Sequence, residues 1–466
     1  MRYRSTRGTA EASAPNFSDI LLSGLANDGG LYLPTHWPHV SHDTLTAWRS
    51  LPYPDLAAEV IGLFTEGSID RETLREMCRD VYGRFDHAAI APLVEVEEGL
   101  FSLELFHGPT LAFKDMAMQM LGRLFEHVLK ERDRHVTIVG ATSGDTGSAA
   151  IEAFRGRERV SIVILHPHGR TSDVQRRQMT TVHDKNVLNI AVDGDFDTCQ
   201  DMVKAMFADE TFRQECSLSA VNSINWARIA AQIPYYIRAA LALGGPDRPV
   251  SFAVPTGNFG NILAAWAAGQ MGLPIEKLCV GSNRNDILTR FLLNNDMRVR
   301  SVEPSLSPSM DIQVSSNFER LLFEMLGRDP NRCRAIMEEF RQTGFMAVPH
   351  DAWEKIGTIF RGHALDDDKT SDAMRRFHKE SHYLADPHSA IGLATGSYYK
   401  EAGIPMVAAA TAHPAKFPDA VEAATGIHPE LPPHLADLFD REERYDVLPN
   451  DLARVKEAVL AHHRAR

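Results

Sequence analysis

The stretch that decides the fold is "HVTIVGATSGDTGSAAIEAF" at residues 135–154. It begins with a run of β-branched residues that is typical of a buried strand, continues through glycines and small polar residues, and ends in an alanine-rich segment that favours a helix. A strand, a glycine-containing turn and a helix in this order form the repeating element of parallel α/β folds. The pattern therefore predicts a largely parallel sheet around this point in the chain.

The same alternation of strand-like and helix-like segments extends on both sides of this stretch. Strand-like runs stand at residues 99–106, 159–167, 250–255 and 404–412, and helix-like runs at 55–64, 197–209 and from residue 114 onwards. We predict an α/β fold with two α/β domains around largely parallel sheets, preceded by a helical and loop-rich region. The predicted segments are 1–95, 96–221 and 222–466, with the active site outside the carboxyl ends of the strands.

Composition narrows the class of protein. A chain of 466 residues is too long for one simple core, and its net charge of −13 disfavours nonspecific binding to nucleic acid or anionic lipid. No apolar run approaches the roughly 18 residues that a membrane helix needs, and the first residues lack the apolar centre of a secretory signal. We therefore expect a cytoplasmic protein without membrane or nucleic-acid partners.

The cysteines and histidines give no sign of a disulfide framework or a metal site. The five cysteines are odd in number and include no CxxC pair, and the histidines lack companions at ligand spacing. We expect no metal, and we expect the cysteines to behave as small, mostly buried apolar residues.

A lysine stands at a predicted helix start in "HGPTLAFKDMAMQ", residues 107–119. Apolar residues recur at three-to-four spacing after Lys114, which places it near the helix N-terminus. The positive end of the helix dipole opposes an exposed cation there by roughly 0.3 to 1 kcal/mol, so the position favours a neutral amine or a lysine in another chemical form. The alternative is a boundary lysine whose stem reaches solvent past Phe113.

A second turn, in "PTGNFGNILAAW" at 255–266, places Gly257 and Gly260 on either side of Asn258 and Phe259, just before a helix. Converging backbone N–H groups and the positive end of the helix suit a phosphate group. The pattern is neither a dinucleotide fingerprint nor a nucleoside-triphosphate loop. Alternatively, the glycines serve only the geometry of a tight turn.

The turn inside the opening stretch offers hydroxyl groups. Ser143, Asp145 and Thr146 lead into a helix predicted to begin near Ser148. Hydroxyls and backbone amides at a helix start can cradle a carboxylate, whereas the Asp145 carboxylate itself would repel an anion. The alternative is that Asp145 or Thr146 merely caps the helix.

Two further segments carry candidate polar groups. Asn222, Ser223 and Arg228 stand together in "NSINWARIAAQIPYY" and could hold a second phosphate, although such a run is often only a turn and a cap. Thr411 ends a predicted buried strand, where a hydroxyl needs a partner or a ligand. The next two polar residues, His413 and Lys416, could equally lie at the surface.

These features together describe one kind of site. A lysine can form a Schiff base with an aldehyde cofactor, a glycine turn can hold the phosphate of that cofactor, and a hydroxyl can meet its pyridine nitrogen. Pyridoxal 5'-phosphate requires this combination of groups, and an imine-forming lysine must be neutral to react. The sequence therefore predicts a pyridoxal-phosphate enzyme.

Several longer motifs resemble those of the threonine synthase family, in its longer bacterial and fungal subfamily. They are "YRSTRG" (3–8), "LANDGGLYLP" (25–34), "FHGPTLAFKDMAMQ" (106–119), "GATSGDTGSAA" (140–150), "NSINWARI" (222–229), "PTGNFGNILA" (255–264), "SPSMDIQVSSNFERLLFE" (307–324), "DPHSAIG" (386–392) and "TAHPAKFPDAV" (411–421). The resemblance implies the fold of the β-family, or fold type II, of pyridoxal-phosphate enzymes.

The resemblance also implies roles for the candidate residues. Lys114 is implied to be the catalytic Schiff-base lysine, and Thr411 to face the pyridine nitrogen. The implied phosphate-binding residues for the cofactor are Gly257, Asn258, Phe259, Gly260 and Asn261. The implied substrate-binding residues are Ser143, Asp145 and Thr146 for the carboxylate side and Asn222, Ser223 and Arg228 for the phosphate, with Asn317 and Arg320 as further polar contacts.

The implied reaction converts O-phospho-L-homoserine and water to L-threonine and phosphate through a pyridoxal-phosphate Schiff base. Two alternatives remain open from the sequence. One is a phospholyase that gives 2-oxobutyrate from the same substrate, and the other is a relative that kept the fold without catalysis. We expect a monomer or a homodimer.

Overall fold

The computed structural model describes residues 1–8 and 14–465 of the chain. Its strands, in chain order, are β1 (Tyr3–Ser5), β2 (Tyr32–Pro34), β3 (Leu93–Glu97), β4 (Leu100–Glu104), β5 (Val136–Ala141), β6 (Val160–Pro167), β7 (Val187–Val192), β8 (Leu218–Ser219), β9 (Val250–Pro255), β10 (Ile275–Ser282), β11 (Met297–Arg298), β12 (Phe345–Met346), β13 (Phe360–Ala364), β14 (Met406–Ala410) and β15 (Asp446–Leu448).

Helices alternate with these strands along most of the chain. They are α1 (Phe17–Ser23), α2 (His42–Trp48), α3 (Tyr53–Thr65), α4 (Arg71–Tyr82), α5 (Lys114–Glu131), α6 (Asp145–Phe154), α7 (Asp173–Thr180), α8 (Phe196–Ala208), α9 (Glu210–Glu215), α10 (Trp226–Ala230), α11 (Ile233–Ala242), α12 (Gly260–Gln270), α13 (Ile287–Asn294), α14 (Phe318–Met325), α15 (Pro330–Thr343), α16 (His350–Gly357), α17 (Asp367–Ser381), α18 (Pro387–Tyr399), α19 (Pro418–Thr425) and α20 (Leu452–Arg464). Short 3-10 turns lie at Pro308–Met310, Pro414–Lys416 and Pro433–Leu435.

The chain forms two compact units, and unit 1 comprises Met1–His107 and Ser223–Pro429. Its main sheet has the strand order β13-β10-β9-β14-β4-β3, parallel throughout except for the antiparallel pair of β3 and β4. The strands β9 and β14 are buried along their whole length, as expected for central strands covered on both faces. Residues of α18 pack against this sheet in one apolar core with Leu100, Ala253 and Ala408.

Unit 2 comprises Gly108–Asn222 and Glu430–Arg466. Its sheet is parallel, with the strand order β15-β7-β6-β5-β8. The core combines Val139 and Val163 of the sheet with Met202 of α8 and Val455 of α20. The last helix of the chain therefore helps to close the core of a unit whose first residue is more than 300 positions earlier.

The predicted α/β fold with largely parallel sheets is confirmed. The strand and helix predicted in the opening stretch correspond to β5 and α6, and the helix predicted from residue 114 corresponds to α5. Where the helix was expected to start near Ser148, it begins three residues earlier, at Asp145.

The sequence predicts three consecutive segments, 1–95, 96–221 and 222–466, and this division into domains stays a prediction. The two compact units follow a different pattern along the chain. Both units are made of two separate stretches of sequence. The reason is strand pairing: β4 joins the sheet of β14, and β15 joins the sheet of β7. Local periodicity identifies a strand without indicating which sheet it enters.

The cysteines are buried and free, in agreement with the prediction from their spacing. Burial raises the pKa of the Cys78 thiol to about 12, so this thiol stays protonated and inert at neutral pH. Across residues 1–8 and 14–465, none of the helices has both the length and the apolar character required to cross a membrane.

Candidate active site

Lys114 is the first residue of α5, and its side chain is only 11% exposed. Its Nζ donates a hydrogen bond of 3.3 Å to Oδ2 of Asp145 and lies 5.1 Å from the centre of the Phe113 ring. The amine therefore points to a carboxylate within unit 2. This arrangement supports the reading in which Lys114 is held inside the protein, against the alternative in which its stem reaches solvent.

Asp145 is the first residue of α6, and it is buried. While Oδ2 accepts from Lys114, Oδ1 accepts a 2.8 Å hydrogen bond from Nε2 of Gln175 on α7. The N-cap of α6 is Gly144, which makes no side-chain cap, so neither Asp145 nor Thr146 caps this helix. The carboxylate is instead fixed between an amine and an amide.

The backbone of this turn is shaped by Thr142 and Gly144. Thr142 Oγ1 accepts the N–H groups of Gly144 at 3.0 Å and Gly147 at 2.9 Å, which fulfils the task of a capping side chain. Gly144 has φ +154°, and a Cβ there would lie 2.4 Å from Gln175 Cδ. The turn therefore requires glycine at position 144, because the side chain of Gln175 fills the adjacent space.

The start of α5 is braced by a second buried carboxylate. Asp115 accepts 2.7 Å hydrogen bonds from both the N–H and the hydroxyl of Thr110, and a Cβ at Gly108 would meet Asp115 Cβ at 2.5 Å. Gln178 donates to the carbonyl of Thr110 at 3.2 Å. The turn before Lys114 is thus tied to the helix that Lys114 begins, which restricts the direction of the lysine side chain.

The turn after β9 in unit 1 is anchored through its oxygen atoms. Ser315 Oγ donates to the Gly257 carbonyl at 2.7 Å, and Asn317 donates to the Asn258 carbonyl from its N–H at 3.1 Å and its Nδ2 at 3.0 Å. Ser316 Oγ donates to Asn258 Oδ1 at 3.1 Å. The segment Ser315–Asn317, which we call the anchor segment, therefore engages one side of the turn.

The amides of the same turn face away from the anchor segment. In a trans peptide the C=O and the next N–H point in opposite directions, so the N–H groups of Asn258 and Phe259 are directed away from Ser315–Asn317. Gly260 and Asn261 begin α12, where the first N–H groups have no acceptor within the helix. These consecutive donors at a helix N-terminus form a fitting cradle for a phosphate.

Phe259 and Asn261 contribute through the backbone more than through their side chains. Phe259 adopts the left-handed conformation, with φ +63°, and its ring is buried against Phe318 and Phe360. Asn261 Oδ1 accepts from the hydroxyls of Tyr235 and Tyr236. Their side chains thus hold the turn within unit 1, which leaves the amides as the groups able to meet an anion.

The residues from Asn317 to Arg320 are fixed by buried contacts of their own. The Arg320 guanidinium donates to the carbonyls of Tyr32 at 2.9 Å and Ile224 at 2.6 Å and to Asn317 Oδ1. Burial lowers the pKa of Arg320 to about 9, with Glu319 acting in the opposite direction. Arg320 therefore acts as a brace for Asn317, and the further polar contacts that the resemblance implies for Asn317 and Arg320 stay a prediction.

The candidate substrate-phosphate residues differ in exposure. Asn222 is exposed, and Ser223 is half-buried with its Oγ 3.3 Å from Ser316 Oγ. Arg228 lies inside α10, where burial lowers its pKa to about 10. The capping alternative applies to Asn225, whose Oδ1 accepts the Ala227 N–H. Ser223 and Arg228 lie in unit 1, and Asn222 is the last residue of the first stretch of unit 2.

Thr411 directly follows β14, as predicted, and its N–H donates to Ser389 Oγ at 2.9 Å. Ser389 lies in the first turn of α18 and is buried. Lys416, which the sequence left open as a surface residue, is instead fully buried at the end of the 3-10 turn Pro414–Lys416. All three residues of this turn are buried, which the local sequence does not reveal.

Sequence reasoning missed several residues that shape these turns. Thr142 had a detectable signal, because a threonine between a strand and a glycine turn is a frequent backbone partner. Gln175 had none, because it lies 30 positions from the Asp145 carboxylate that it binds. Ser315 and Ser316 belong to a quoted family motif, but no local pattern links them to a turn 58 positions earlier.

The comparison with protein families identifies the class. A model described as pyridoxal-phosphate dependent enzyme matches residues 86–340, more than half of the chain, and this range includes Lys114 and the glycine turn. The fold and the phosphate-fitting amides agree with it. The chain is a pyridoxal-phosphate-dependent enzyme of fold type II, as predicted.

Further comparisons identify the family. Models described as threonine synthase N terminus and threonine synthase, C-terminal match residues 2–82 and 389–459. The chain is 52% identical to the threonine synthase of Pseudomonas aeruginosa over 99% of this chain and 98% of that protein. It is similar to the crystal structure of pyridoxal-phosphate-bound threonine synthase from Brucella melitensis, with a TM-score of 0.97, 50% identity and full coverage of both chains.

The structure of the yeast threonine synthase is also similar, with a TM-score of 0.94 and 38% identity over 100% of this chain and 99% of that one. The chain belongs to the threonine synthase family. This membership confirms the family, the fold class and the cofactor that the sequence motifs implied.

Proposed function

We propose that this protein converts O-phospho-L-homoserine and water to L-threonine and phosphate, with Lys114 as the residue that holds pyridoxal phosphate covalently. The observation that carries the proposal is the position of Lys114: a mostly buried amine at the start of α5, fixed against Asp145. It lies inside a chain that resembles threonine synthases over nearly its whole length.

Two groups in unit 1 are proposed to hold the cofactor. The backbone amides of Gly257, Asn258, Phe259, Gly260 and Asn261 are proposed to bind its phosphate, because this turn directs N–H donors away from the anchor segment. Thr411 is proposed to face the pyridine nitrogen with its hydroxyl. A hydroxyl, unlike a carboxylate, leaves that nitrogen largely unprotonated. The unprotonated ring then withdraws electrons from the substrate less strongly.

The chemical step depends on proton transfer by this chain's own groups. When bound, pyridoxal phosphate supplies the stabilisation of carbanions next to the substrate amine. With the cofactor bound, the Lys114 amine would be the group that moves protons at the substrate Cα and Cβ. Asp145 orients this amine, and Gln175 orients Asp145, so both act before the proton moves.

The proposed substrate contacts are polar groups that can bind the two anionic ends of the substrate. Ser143, Asp145 and Thr146 are proposed to meet the substrate carboxylate and adjoining atoms through hydroxyls and amides at the start of α6. Asn222, Ser223 and Arg228 are proposed to meet the substrate phosphate. Burial disfavours the charged form of Arg228, so an anion beside it restores the preference for that form.

We also propose that the protein acts in the cytoplasm as a monomer or homodimer and without nucleic acid. The net charge of −13 supports the absence of a nucleic-acid partner. Light scattering coupled to gel filtration measures the mass of the assembly against the 51.8 kDa of one chain, and a mass above that of two chains contradicts this part of the proposal.

The decisive experiment supplies the purified protein with pyridoxal phosphate and O-phospho-L-homoserine and measures phosphate, threonine and 2-oxobutyrate together. Threonine equal to phosphate supports the proposed reaction. Phosphate accompanied by 2-oxobutyrate without threonine makes the chain a phospholyase. The absence of phosphate release, while a visible absorption band shows that the cofactor is bound, contradicts both the substrate and the proposed catalysis.

A further inference from the structure

The motif "DPHS" at residues 386–389 forms the cap of α18. Asp386, the N-cap, is fully buried, and its carboxylate accepts the N–H groups of His388 at 2.9 Å and Ser389 at 3.0 Å. Pro387 occupies the first helical position, where its missing N–H is not needed. This cap presents two buried side chains, His388 and Ser389, in fixed directions.

The imidazole of His388 bridges the cap to another segment of unit 1. Its Nδ1 lies 2.7 Å from Asp386 Oδ2, and its Nε2 accepts the N–H of Ser309 at 3.3 Å. Because a peptide N–H can only donate, Nε2 must carry the lone pair, and the ring hydrogen must be on Nδ1, where it is donated to Asp386. The structure therefore assigns His388 a single neutral tautomer.

Ser309 lies in the 3-10 turn Pro308–Met310, and this turn forms the wall behind the phosphate cradle. A Cβ at Gly257 would lie 3.0 Å from the Ser309 carbonyl oxygen and 3.3 Å from Met310 Cα. The backbone of Gly257 thus packs directly on the turn that His388 holds. A movement of Ser309 must either release or compress the glycine turn.

The neighbouring side chain, Ser389, holds the other proposed cofactor contact. Its Oγ accepts the Thr411 N–H at 2.9 Å, at the point where β14 ends. Thr411 and Gly257 are far apart in sequence, but adjacent residues of one helix cap position both. His388 acts on the wall of the phosphate cradle, and Ser389 acts on the backbone of the residue proposed to face the pyridine nitrogen.

We infer that His388 and Ser389 are positioning residues with separable tasks: His388 sets the affinity for the cofactor phosphate, and Ser389 sets the contact with the cofactor ring. This inference rests on the proposed roles of Gly257–Asn261 and Thr411. Asp386 serves both tasks, because it orients the imidazole and caps the helix that carries the serine.

The test compares the binding of pyridoxal phosphate with that of pyridoxal, which has the same ring and aldehyde without the phosphate. Dissociation constants are measured from the absorption band that forms with the protein. His388→Asn keeps a donor for Asp386 but cannot reach Ser309, and we expect it to weaken pyridoxal phosphate about tenfold while leaving pyridoxal within about twofold. His388→Gln places an acceptor near the Nε2 position and is expected to restore binding to within about threefold of the original protein.

The second pair of variants addresses Ser389. Ser389→Ala removes the acceptor for the Thr411 N–H, and we expect it to weaken pyridoxal phosphate and pyridoxal equally, by about threefold to tenfold. Ser389→Thr keeps the hydroxyl and is the matched control, expected to bind both within about twofold of the original protein. A loss restricted to pyridoxal phosphate in Ser389→Ala contradicts the assignment of Ser389 to the ring.

The outcomes separate this inference from the proposed function. If the original protein binds no pyridoxal phosphate, the proposed function fails, and the inference fails with it. If the original protein binds and His388→Asn loses neither ligand or both ligands equally, only the inference is overturned. A measurement without any variant uses protein labelled with ¹⁵N-histidine: we expect an Nδ1–H neutral imidazole signal, and a spectrum that contains only Nε2–H and protonated rings contradicts the assigned tautomer.

Discussion

The two strand-turn-helix segments at 142–147 and 256–261 look alike in sequence but differ in chemistry. Each follows a buried parallel strand, contains two glycines and leads into a helix. In unit 2 the turn begins its helix with Asp145, a carboxylate shared between Lys114 and Gln175. In unit 1 the turn contains no charged residue, and its carbonyls are occupied by the anchor segment Ser315–Asn317.

The difference shows that the local pattern sets the geometry and distant residues set the function. The turn of unit 2 holds a negative group at a helix N-terminus, where the dipole stabilises it. The turn of unit 1 leaves that same electrostatic advantage for an anion from outside the protein. One turn is therefore suited to hold an amine, and the other to hold a phosphate.

The largest expected effect comes from removing the lysine amine that the turn of unit 2 holds. Lys114→Ala should reduce threonine formation by at least about 1,000-fold, because no other group replaces the amine in bond formation and proton transfer. Initial rates of threonine formation measure this loss. Lys114→Arg is the control: it keeps a cation beside Asp145 and hence much of the stability, but a permanently protonated guanidinium cannot react. Wild-type activity in either variant rules out the proposed role.

The second prediction contrasts the two glycines. Gly144→Ala combines a φ of +154° with a Cβ 2.4 Å from Gln175 Cδ, so we expect it to lower the free energy of unfolding by about 2 to 3 kcal/mol. Gly257→Ala meets its nearest atoms, Ile312 Cδ1 and the Ser309 oxygen, at 3.0 Å and should lower it by about 1 kcal/mol. Urea denaturation of both variants compares the two. Equal losses would show that the turns are equally constrained.

The third prediction concerns the loss of stability in acid, through a histidine in the sheet that carries the unit 2 turn. Burial lowers the pKa of His166 in β6 to about 4, from an ordinary value of 6.5. Between pH 6.5 and about pH 4, His166 is protonated in the unfolded chain but neutral in the folded protein. Its contribution to the free energy of unfolding is therefore fully present above pH 6.5 and is lost as the pH falls towards 4. The expected loss at pH 5 relative to pH 7.5 is about 2 kcal/mol.

Urea denaturation at these two pH values, for the original protein and for His166→Phe, measures this contribution. The variant should lose about 2 kcal/mol less on acidification. Hydrogen exchange should place the acid-sensitive amides in β5 and β6, since the Leu165 carbonyl accepts the Thr142 N–H at 3.0 Å. An unchanged difference in the variant would assign the acid sensitivity to other groups.

The smallest expected effect concerns Gln175, which contacts the turn of unit 2 from 30 positions along the chain. Gln175→Leu removes the amide that donates to Asp145 Oδ1, and we expect threonine formation to fall about tenfold, because the carboxylate then holds Lys114 less precisely in direction. Thr180→Val is the matched control on the same helix, since the Thr180 hydroxyl donates to Glu443 and not to Asp145. It should stay within about threefold, and equal losses in the two variants would point to general damage to α7.

Much of the fold could be predicted from the sequence because its elements are defined by local chemistry. The β-branched run at 136–139 became β5, Lys114 became the first residue of α5, and Thr411 directly follows β14. In each case the residues that decide the structure are neighbours in the chain, so hydrophobic periodicity and turn residues carry the information.

The parts that escaped prediction depend on contacts between distant residues. The start of α6 moved to Asp145 because Thr142 supplies the capping acceptor. The anchor segment was expected to supply polar contacts, but its link to Gly257 and Asn258 became visible only in the structure. Pairing of β4 with β14, and of β7 with β15, joins segments separated by about 250 to 300 residues. No local pattern contains that information.

The placement of β14 between β9 and β4 has a consequence for biosynthesis. A ribosome that has completed β4 must add about 300 residues before β14 emerges, which takes about 15 to 60 s at about 5 to 20 residues per second. Until β14 emerges, β4 exposes an unpaired edge, and so does β9 once it has been made; unpaired strand edges are the kind of surface that chaperones bind. A nascent chain stalled before residue 406 therefore lacks the central strand of its main sheet and is expected to be degraded instead of accumulating as a partly active fragment.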